Sequence, residues 1–260
     1  MENNNKSYFY AEKQEELDRL KLQASAVQDI ELGILEKHGL STHLDVLDVG
    51  CGPGFTTSLL ADRCQPTSLL GVDNNPELIS KAKELANSNN QSTVFSIQDV
   101  YEINLSKKFD FAYARFLFQH LEKPVKALKS ISNVLKENGR LCILDIDEDF
   151  LHLHPPLHSF IEIKEKVILQ QKKRGGDRLI GKKLRNLLIE AGFEEINVTI
   201  LPVTSNQIGL DAFFDLTTSF KKELLTNKDD VDQFNELKKI MKNENYFGVV
   251  SVFFVSGVKR

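Results

Sequence analysis

The chain reads as an α/β protein built on a doubly wound, mostly parallel sheet of seven strands, with helices before the sheet and a helical insertion late in it. Three observations predict this. From Asp45 to Asp145, short apolar runs alternate with helix-period segments, and strands separated by helices of that length pair in parallel through right-handed crossovers. The run Val46-Leu47-Asp48-Val49 feeds straight into Gly50-Cys51-Gly52-Pro53-Gly54. That is a buried-strand pattern ending in a loop that can hold positive φ and let a ligand approach the backbone. Two late strand patterns, Glu195–Leu201 and Tyr246–Val258, flank a segment of helical character, which predicts an antiparallel hairpin at one edge.

Taken in order, Leu17, Leu20, Ala24, Val27, Ile34 and Leu35 recur at helical spacing between Ala11 and Lys37, with Gly39 as a stop; this is one amphipathic helix or two. Strand one is Asp45–Val49, and a helix follows from Phe55. Strand two is Ser68–Asp73. Pro76 opens a helix that sets Leu78, Ala82 and Leu85 on one face, as Pro does at a first helical position. Val94–Gln98 and Phe109–Ala114 are strands three and four. Pro124 opens a helix with Val125, Leu128, Ile131 and Leu135 inward and Asn138-Gly139 as its stop, and Arg140–Asp145 is strand five. His152–Pro156 reads as a loop, Leu157–Lys173 and Leu179–Ala191 as helices. Asn206–Asn245 reads as helical, with Phe213, Phe214, Leu216 and Phe220 on an apolar face. The expected organisation is a helical lid over 1–40, a core of 41–205 and 246–260, and a helical cap over 206–245.

With 260 residues, the chain can bury a sizeable core. Lys and Arg total 33 against 37 for Asp and Glu, so nothing in the charge balance calls for a nucleic acid or an anionic membrane as partner. Cys51, Cys64 and Cys142 lack metal-ligand spacing and read as reduced thiols of a cytoplasmic protein. No apolar run approaches a membrane span or signal segment.

The chemistry lies at the strand ends. The dinucleotide fingerprint places its third Gly three residues after the second; here the loop is Gly50-x-Gly52-x-Gly54, and Phe55 stands where that third Gly would fall. Asp48, two residues before Gly50, can hold the loop's own amides or accept from a ligand ammonium group. Asp73 ends strand two, where a carboxylate can accept both hydroxyls of a ribose. Asp99 ends strand three in Gln98-Asp99-Val100, suited to an adenine amine beside an apolar wall. Together these carboxylates describe a ligand with an ammonium group, a ribose and an adenine, and no Walker lysine follows the loop.

At these residues the chain resembles the class I S-adenosylmethionine-dependent methyltransferases, in their small-molecule branch. The resemblance runs through Val46–Gly54, Gly71-Val72-Asp73, Gln98-Asp99-Val100, Phe109–Leu121, Lys136–Asp145 and Leu188-Ile189-Glu190-Ala191-Gly192-Phe193, in order. It implies strand order 3-2-1-4-5-7-6 with strand seven antiparallel, S-adenosylmethionine as cofactor, and transfer of its methyl group to a small-molecule acceptor. Carried over, Gly50, Cys51, Gly52 and Gly54 line the methionine part of the cofactor. Asp73 holds the ribose with Asn74 beside it, Asp99 and Val100 flank the adenine, and Arg115 contacts the methionine end. Tyr10 and Gln23 would close over the site from the lid. A monomer or homodimer is expected.

Other residues keep two readings. His120 is a candidate general base or a packed helix-start residue. His152, with His154 and His158, lies where substrate should enter; their spacing invites a metal reading that no carboxylate or cysteine pattern supports, so no metal is expected. Asp145, Asp147, Glu148 and Asp149 form either a solvated loop or an amine-recognising cluster, with Asp147 the substrate candidate. The stretch Lys164–Arg185 is locally basic (Lys172, Lys173, Arg174, Lys182, Lys183, Arg185), a solvated face or a contact for an anionic substrate group or RNA. Methyl transfer needs mainly alignment, worth roughly 7–11 kcal/mol, so no obligatory catalytic side chain is implied. The alternatives are a methyltransferase acting on RNA or protein, and an NAD(P)-dependent oxidoreductase.

Overall fold

Strand β1 (Asp45–Val49) is the centre from which the sheet grows, because both its neighbours pair with it in parallel. The computed structural model describes residues 14–25, 27–89, 93–225, 227–241 and 245–260; Tyr10 and the start of the expected lid lie outside them. β2 (Ser68–Asp73) flanks β1 on one side and carries β3 (Val94–Ile97) beyond it; β4 (Phe109–Arg115) flanks it on the other and carries β5 (Leu135–Ile146). The last strand, β8 (Phe247–Lys259), runs antiparallel to β5 along one edge and to β7 (Phe193–Thr204) along the other. With β8 and β7 as the seventh and sixth strands of the expected scheme, the predicted order 3-2-1-4-5-7-6 holds.

One strand was not expected. His152–His154 reads as a loop in sequence but forms a short strand, β6, which pairs with Phe247–Val249 just beyond the reach of β5. β8 extends past the end of β5, and its free backbone groups there need partners. Two further boundaries differ. Asn138-Gly139 does not stop the helix α5 (Pro124–Val134), which ends earlier; the pair instead forms an irregularity inside β5, with Asn138 at φ +63°. The turn chemistry is right, but it serves a bulged strand, since Leu135 already pairs with Phe109. The helix expected over Leu179–Ala191 is split into a 3-10 turn at Gly181–Lys183 and α7 (Leu184–Glu190).

Helices cover both sheet faces, as strand alternation requires. Leu47, Val49, Ala112, Ala114 and Ile143 pack with Leu128 and Ile131 of α5 and Leu184 and Leu188 of α7. The alternate residues Val46, Phe111, Tyr113 and Leu144 pack with Leu60 of α3 (Phe55–Cys64) and with Leu32 and Leu35 of α2 (Gln28–Lys37), which follows α1 (Gln14–Ser25). Helix α4 (Pro76–Ser88) begins as predicted: Pro76 takes the first turn, and the Asn75 side chain accepts from the N–H groups of Glu77 and Leu78 at 2.9 and 3.2 Å.

A third cluster sits over the β6–β8 end of the sheet. Phe160, Ile163 and Val167 of α6 (His158–Lys173) meet Phe213 and Phe214 of α9 (Leu210–Thr217), and Phe234 and Leu237 of α10 (Lys228–Ile240). The short α8 (Ser205–Ile208) joins β7 to this group. The late insertion is therefore helical, as its Phe spacing predicts. Among the described residues no helix is long and apolar enough to cross a membrane.

Phe111 is fully buried between β1 and the α2–α3 layer. Phe111→Ala is expected to destabilise the chain by about 3–5 kcal/mol, read as a lowered midpoint in urea unfolding with an unchanged slope.

Candidate active site

The loop after β1 is held from β2. The Val72 carbonyl accepts the N–H groups of Gly50 and Cys51 at 2.8 and 3.0 Å. One oxygen of Asp73 accepts from the N–H of Gly52 at 3.0 Å and the other from that of Asn75 at 2.9 Å. Gly54 has φ +82°, and a Cβ there would press on Ala82 at 3.0 Å and Phe95 at 3.2 Å, so the loop must be bare to pack against α4. Gly52, at φ +54°, is different: nothing of the protein lies within 4 Å of where its Cβ would be. This backbone faces open space at the N-terminal end of α3, where N–H groups and helix dipole favour a polar or anionic group.

Asp48 lies beneath the loop, buried, with its carboxylate taking the Thr57 hydroxyl at 2.6 Å. Burial raises its pKa to about 7, against the lowering effects of Thr57 and of the Arg115 charge. The loop's own amides go to Val72 and Asp73 instead, and Asp48 holds the first turn of α3 through Thr57. Cys51 is buried, and burial pushes its thiol well up, so it lines the loop as a neutral group. Asp73 is half-buried and Asn74 exposed beside it. Asp99 is exposed at the end of β3, accepting the N–H of Tyr101 at 2.9 Å, with half-buried Val100 packed against the core. The Gln98 N–H reaches the Asp73 carbonyl at 3.0 Å and ties the two strand ends together. Gly50–Gly54, Asp73, Asn74, Asp99 and Val100 thus gather along the carboxyl ends of three adjacent strands.

Arg115, at the end of β4, is engaged from the N-terminal helices. Its Nε and Nη2 donate to the Glu31 carboxylate of α2, both at 3.0 Å, and Nη2 also donates to the Gln23 carbonyl at 2.8 Å. The Tyr113 hydroxyl donates to the same carboxylate at 2.9 Å. The next residue, Phe116, holds φ +51°, a left-handed conformation that costs an aromatic residue roughly 1–3 kcal/mol. Its N–H donates to the Leu144 carbonyl at 2.8 Å, and the Arg115 guanidinium sits 4.7 Å over its ring.

Beyond this pair lies a cavity of about 90 Å³, between the N-terminal helices, the ends of β4 and β5, and the insertion. Its polar wall is Gln23, Glu31, Arg115, Gln119, Glu148 and Arg178; aliphatic side chains such as Val203, Ile208 and Val250 line the rest. Glu148 is buried between two cations: Arg178 donates to it through Nε at 2.8 Å and Nη2 at 2.5 Å, and Lys221 through Nζ at 2.8 Å. Arg178 Nη1 also donates to the Gln119 side chain at 3.1 Å. Burial works to raise the Glu148 pKa, but Lys221 and Arg178 outweigh it and hold the carboxyl below its ordinary value. Burial lowers that of Lys221 to about 8.

The other expected residues fall elsewhere. Gln23 borders the cavity. His120 ends the 3-10 turn Phe118–His120, off the cavity wall, with Nδ1 3.4 Å from the Gln171 amide. Surrounding protein, then Arg178 and Arg19, lower its pKa, but the residue is exposed, and solvent limits that fall. Asp147 is buried and structural, accepting the N–H of Asp149 at 3.2 Å and that of Lys182 at 3.1 Å. His152 and His154 are exposed on β6, and His158 pairs with Glu162 at 3.2 Å. The acidic cluster is consumed internally: Asp145 accepts the N–H groups of Gln119 and Ile146 at 3.1 and 2.9 Å, and Asp149 pairs with Lys182. Sequence reasoning missed Glu31 and Arg178. Glu31 sits amid the apolar periodicity of Ile30, Leu32 and Leu35 with nothing to mark it; Arg178 follows the Gly175-Gly176 break, where a lone basic residue reads as a loop charge.

With this geometry in view, comparison with known proteins decides the family. A family profile described as "Methyltransferase domain" matches residues 40–192, more than half of the chain. The chain belongs to the methyltransferase domain family. A malonyl-[acyl-carrier protein] O-methyltransferase of Paenibacillus sp. is 26% identical over 182 residues, covering 67% of this chain and 65% of that protein. A 37.1 kDa protein in transposon TN4556 of Streptomyces fradiae is 29% identical over 161 residues, 61% of this chain and 45% of that one. The chain therefore spans between 45% and 65% of the length of these two curated relatives. Among solved structures, a phosphoethanolamine N-methyltransferase 2 of Haemonchus contortus, in complex with phosphomonomethylethanolamine and S-adenosylhomocysteine, shares the fold with a TM-score of 0.60 at 20% identity, over 89% of this chain and 52% of that one. The matched domain holds the glycine loop, Asp73, Asp99, Arg115 and Arg178; Glu31 and the late insertion lie outside it.

Two outcomes test this site. Glu31→Gln leaves the Arg115 charge buried without its counter-ion and is expected to cost about 3–5 kcal/mol in urea unfolding. The Asp48 carboxyl, raised above its ordinary 3.8 to about 7, binds its proton more tightly in the folded chain. Its contribution to stability is whole below about pH 4 and lost as pH rises to about 7. Asp48→Asn does not titrate, so its stability gain over the natural chain should grow across that window to ~4 kcal/mol. A gain independent of pH in a series of melts counts against the raised pKa.

Proposed function

We propose that this chain is an S-adenosylmethionine-dependent methyltransferase that acts on a small molecule, with catalysis mainly by positioning. The observation that carries the reading is the half-buried Asp73 and exposed Asp99 at neighbouring strand ends, beside a glycine loop whose Gly52 faces open space. The residues fit the cofactor: bare backbone for a close approach, a carboxylate with lone pairs left for hydroxyls, and a second carboxylate at an apolar wall. Gly50, Cys51, Gly52 and Gly54 hold the methionine part, with Asp48 beneath, anchoring the helix that follows through Thr57. Asp73 and Asn74 hold the ribose, Asp99 and Val100 the adenine. Arg115 serves the methionine end while fixing the N-terminal helices through Glu31 and Gln23. When bound, the sulfonium supplies an activated methyl group for in-line displacement.

The protein's own work is then to align the acceptor and exclude water. Helices α1 and α2 act as the lid and the insertion as the cap. The cavity of about 90 Å³ is the acceptor site, its size favouring a small molecule over RNA or protein. His120 would serve as base only for an acceptor that reaches past the cavity wall. His152 and Asp147 stand off the cavity wall, and Asp147 supports the loop that carries Glu148. A cytoplasmic location agrees with three free, buried thiols, Cys51, Cys64 and Cys142. The chain acts as a monomer or a homodimer.

Calorimetry with S-adenosylmethionine and with NAD separates the two cofactor readings. Binding of S-adenosylmethionine alone is expected. Asp99→Ala should weaken it about ten-fold, equivalent to ~1.4 kcal/mol, with little change in melting; binding of NAD alone sinks the proposal.

A further inference from the structure

The charged groups on the cavity wall are spent on one another. Glu31 accepts from Arg115 and from the Tyr113 hydroxyl, and Glu148 accepts from Arg178 and Lys221. Gln119 completes the engagement of Arg178, its side-chain oxygen taking Nη1 at 3.1 Å. The Thr217 hydroxyl donates to the Phe213 carbonyl at 2.7 Å. A charged ligand would have to break one of these pairs or enter stripped of its hydration, and either is costly. An uncharged, apolar ligand asks only for contact with the aliphatic part of the wall.

A second cavity, of about 130 Å³, lies against the first, and Val27, Val203 and Ile208 border both. Its other lining residues are Ile30, Leu201, Pro202 and Gln207. Of these only Gln207 is polar, and its side-chain oxygen is committed to the capping box of α8, taking the N–H of Thr204 at 2.8 Å and its hydroxyl at 3.1 Å. Ile30, on α2, is 47% exposed, so the second cavity reaches the surface there. Ile208 is followed by Gly209, at φ +86° with nothing of the protein within 4 Å of where its Cβ would be. The turn that carries this shared side chain therefore has room to give.

We propose that the two cavities form one elongated subsite for an uncharged aliphatic chain, so that the acceptor is a small molecule with an apolar tail. The tail starts beside Arg115 and Phe116, at the end of β4, and passes Val203 and Ile208 toward Ile30. Volume sets its length. A cavity of about 150 Å³ holds benzene, so the first, of about 90 Å³, takes only a few carbons and the second takes the next few. The acceptor role of this subsite rests on the methyltransferase reading; the chemistry of the chain it holds does not.

The test uses the full chain in a calorimeter, first titrated with S-adenosylhomocysteine and then, saturated with it, with octanol, butanol, octanoate or octylamine. Each buried methylene is worth about four-fold in affinity, so octanol is expected to bind about ten-fold or more tighter than butanol. The same margin is expected over octanoate and octylamine, which carry a charge on a chain of the same length. Two variants narrow the second cavity. Ile30→Trp fills it from an exposed position that spares the fold, and Ile208→Phe closes the border between the two. Each should lower octanol affinity about ten-fold and change butanol and S-adenosylhomocysteine affinity by less than about two-fold. Equal or tighter binding of butanol, octanoate or octylamine, or octanol binding undiminished in the folded variants, overturns the proposal. Absence of S-adenosylhomocysteine binding in the first titration overturns instead the cofactor reading beneath it, and the octanol preference of the unloaded chain then shows whether the apolar subsite stands alone.

Discussion

The end of β2 governs the site. Its last two residues present a carbonyl and a carboxylate to the loop that follows β1, and together these accept three consecutive N–H groups, those of Gly50, Cys51 and Gly52. A loop without side chains at alternate positions has many conformations available, and ordering it costs more per residue than ordering any other. Here the ordering comes from a neighbouring strand whose own position is set by parallel pairing along the whole of β1. The loop shape therefore follows from sheet register. A slip of β2 by one residue would exchange Val72 for Asp73 at the carbonyl position and turn the carboxylate to the other face.

The cavity wall is built on a different principle. Its polar groups come from elements far apart in the chain: Glu31 from α2, Arg115 from β4, Glu148 after β5, Arg178 from a glycine-bounded break and Lys221 from the insertion. Buried ion pairs of this kind contribute little net stability, because desolvation consumes most of the Coulombic gain. They do make their geometry costly to leave. Arg115 couples the N-terminal helices to the strand end, and Glu148 couples the insertion to the loop after β5, so both helical segments are tied to the sheet by buried ion pairs.

The grouping of the glycine loop with Asp73 and Asp99 was legible in sequence because its signals are local. A strand, a two-residue glycine spacing and single carboxylates at strand ends can be read within a few residues of one another, and the structure gathers Asp73 and Asp99 where that reading put them. Strand order followed from element alternation for the same reason. Where the reading failed, distant partners decided. Asn138-Gly139 has the chemistry of a helix stop, yet pairing of Leu135 with Phe109 pulls the segment into β5. His152–His154 looks like loop until the overhang of β8 supplies a partner. The four carboxylates from Asp145 to Asp149 suggested an amine site, and only the fold reveals that backbone N–H groups, Arg178, Lys221 and Lys182 already engage them. Glu31 and Arg178 carry no local mark at all, since their significance is a juxtaposition across the chain.

The overhanging β8 has one more consequence. The strand supplies Val250, Val252 and Phe254 to the cavity, and along the same stretch it pairs with β5 and β7. The glycine loop takes its hydrogen bonds from β2 and packs on α4 and β3, all encoded before residue 98. The cavity, by contrast, has no complete wall until the last strand is in place. Two neighbouring parts of one cleft thus draw on opposite ends of the chain, so changes in β8 reshape the cavity without touching the loop's hydrogen bonds.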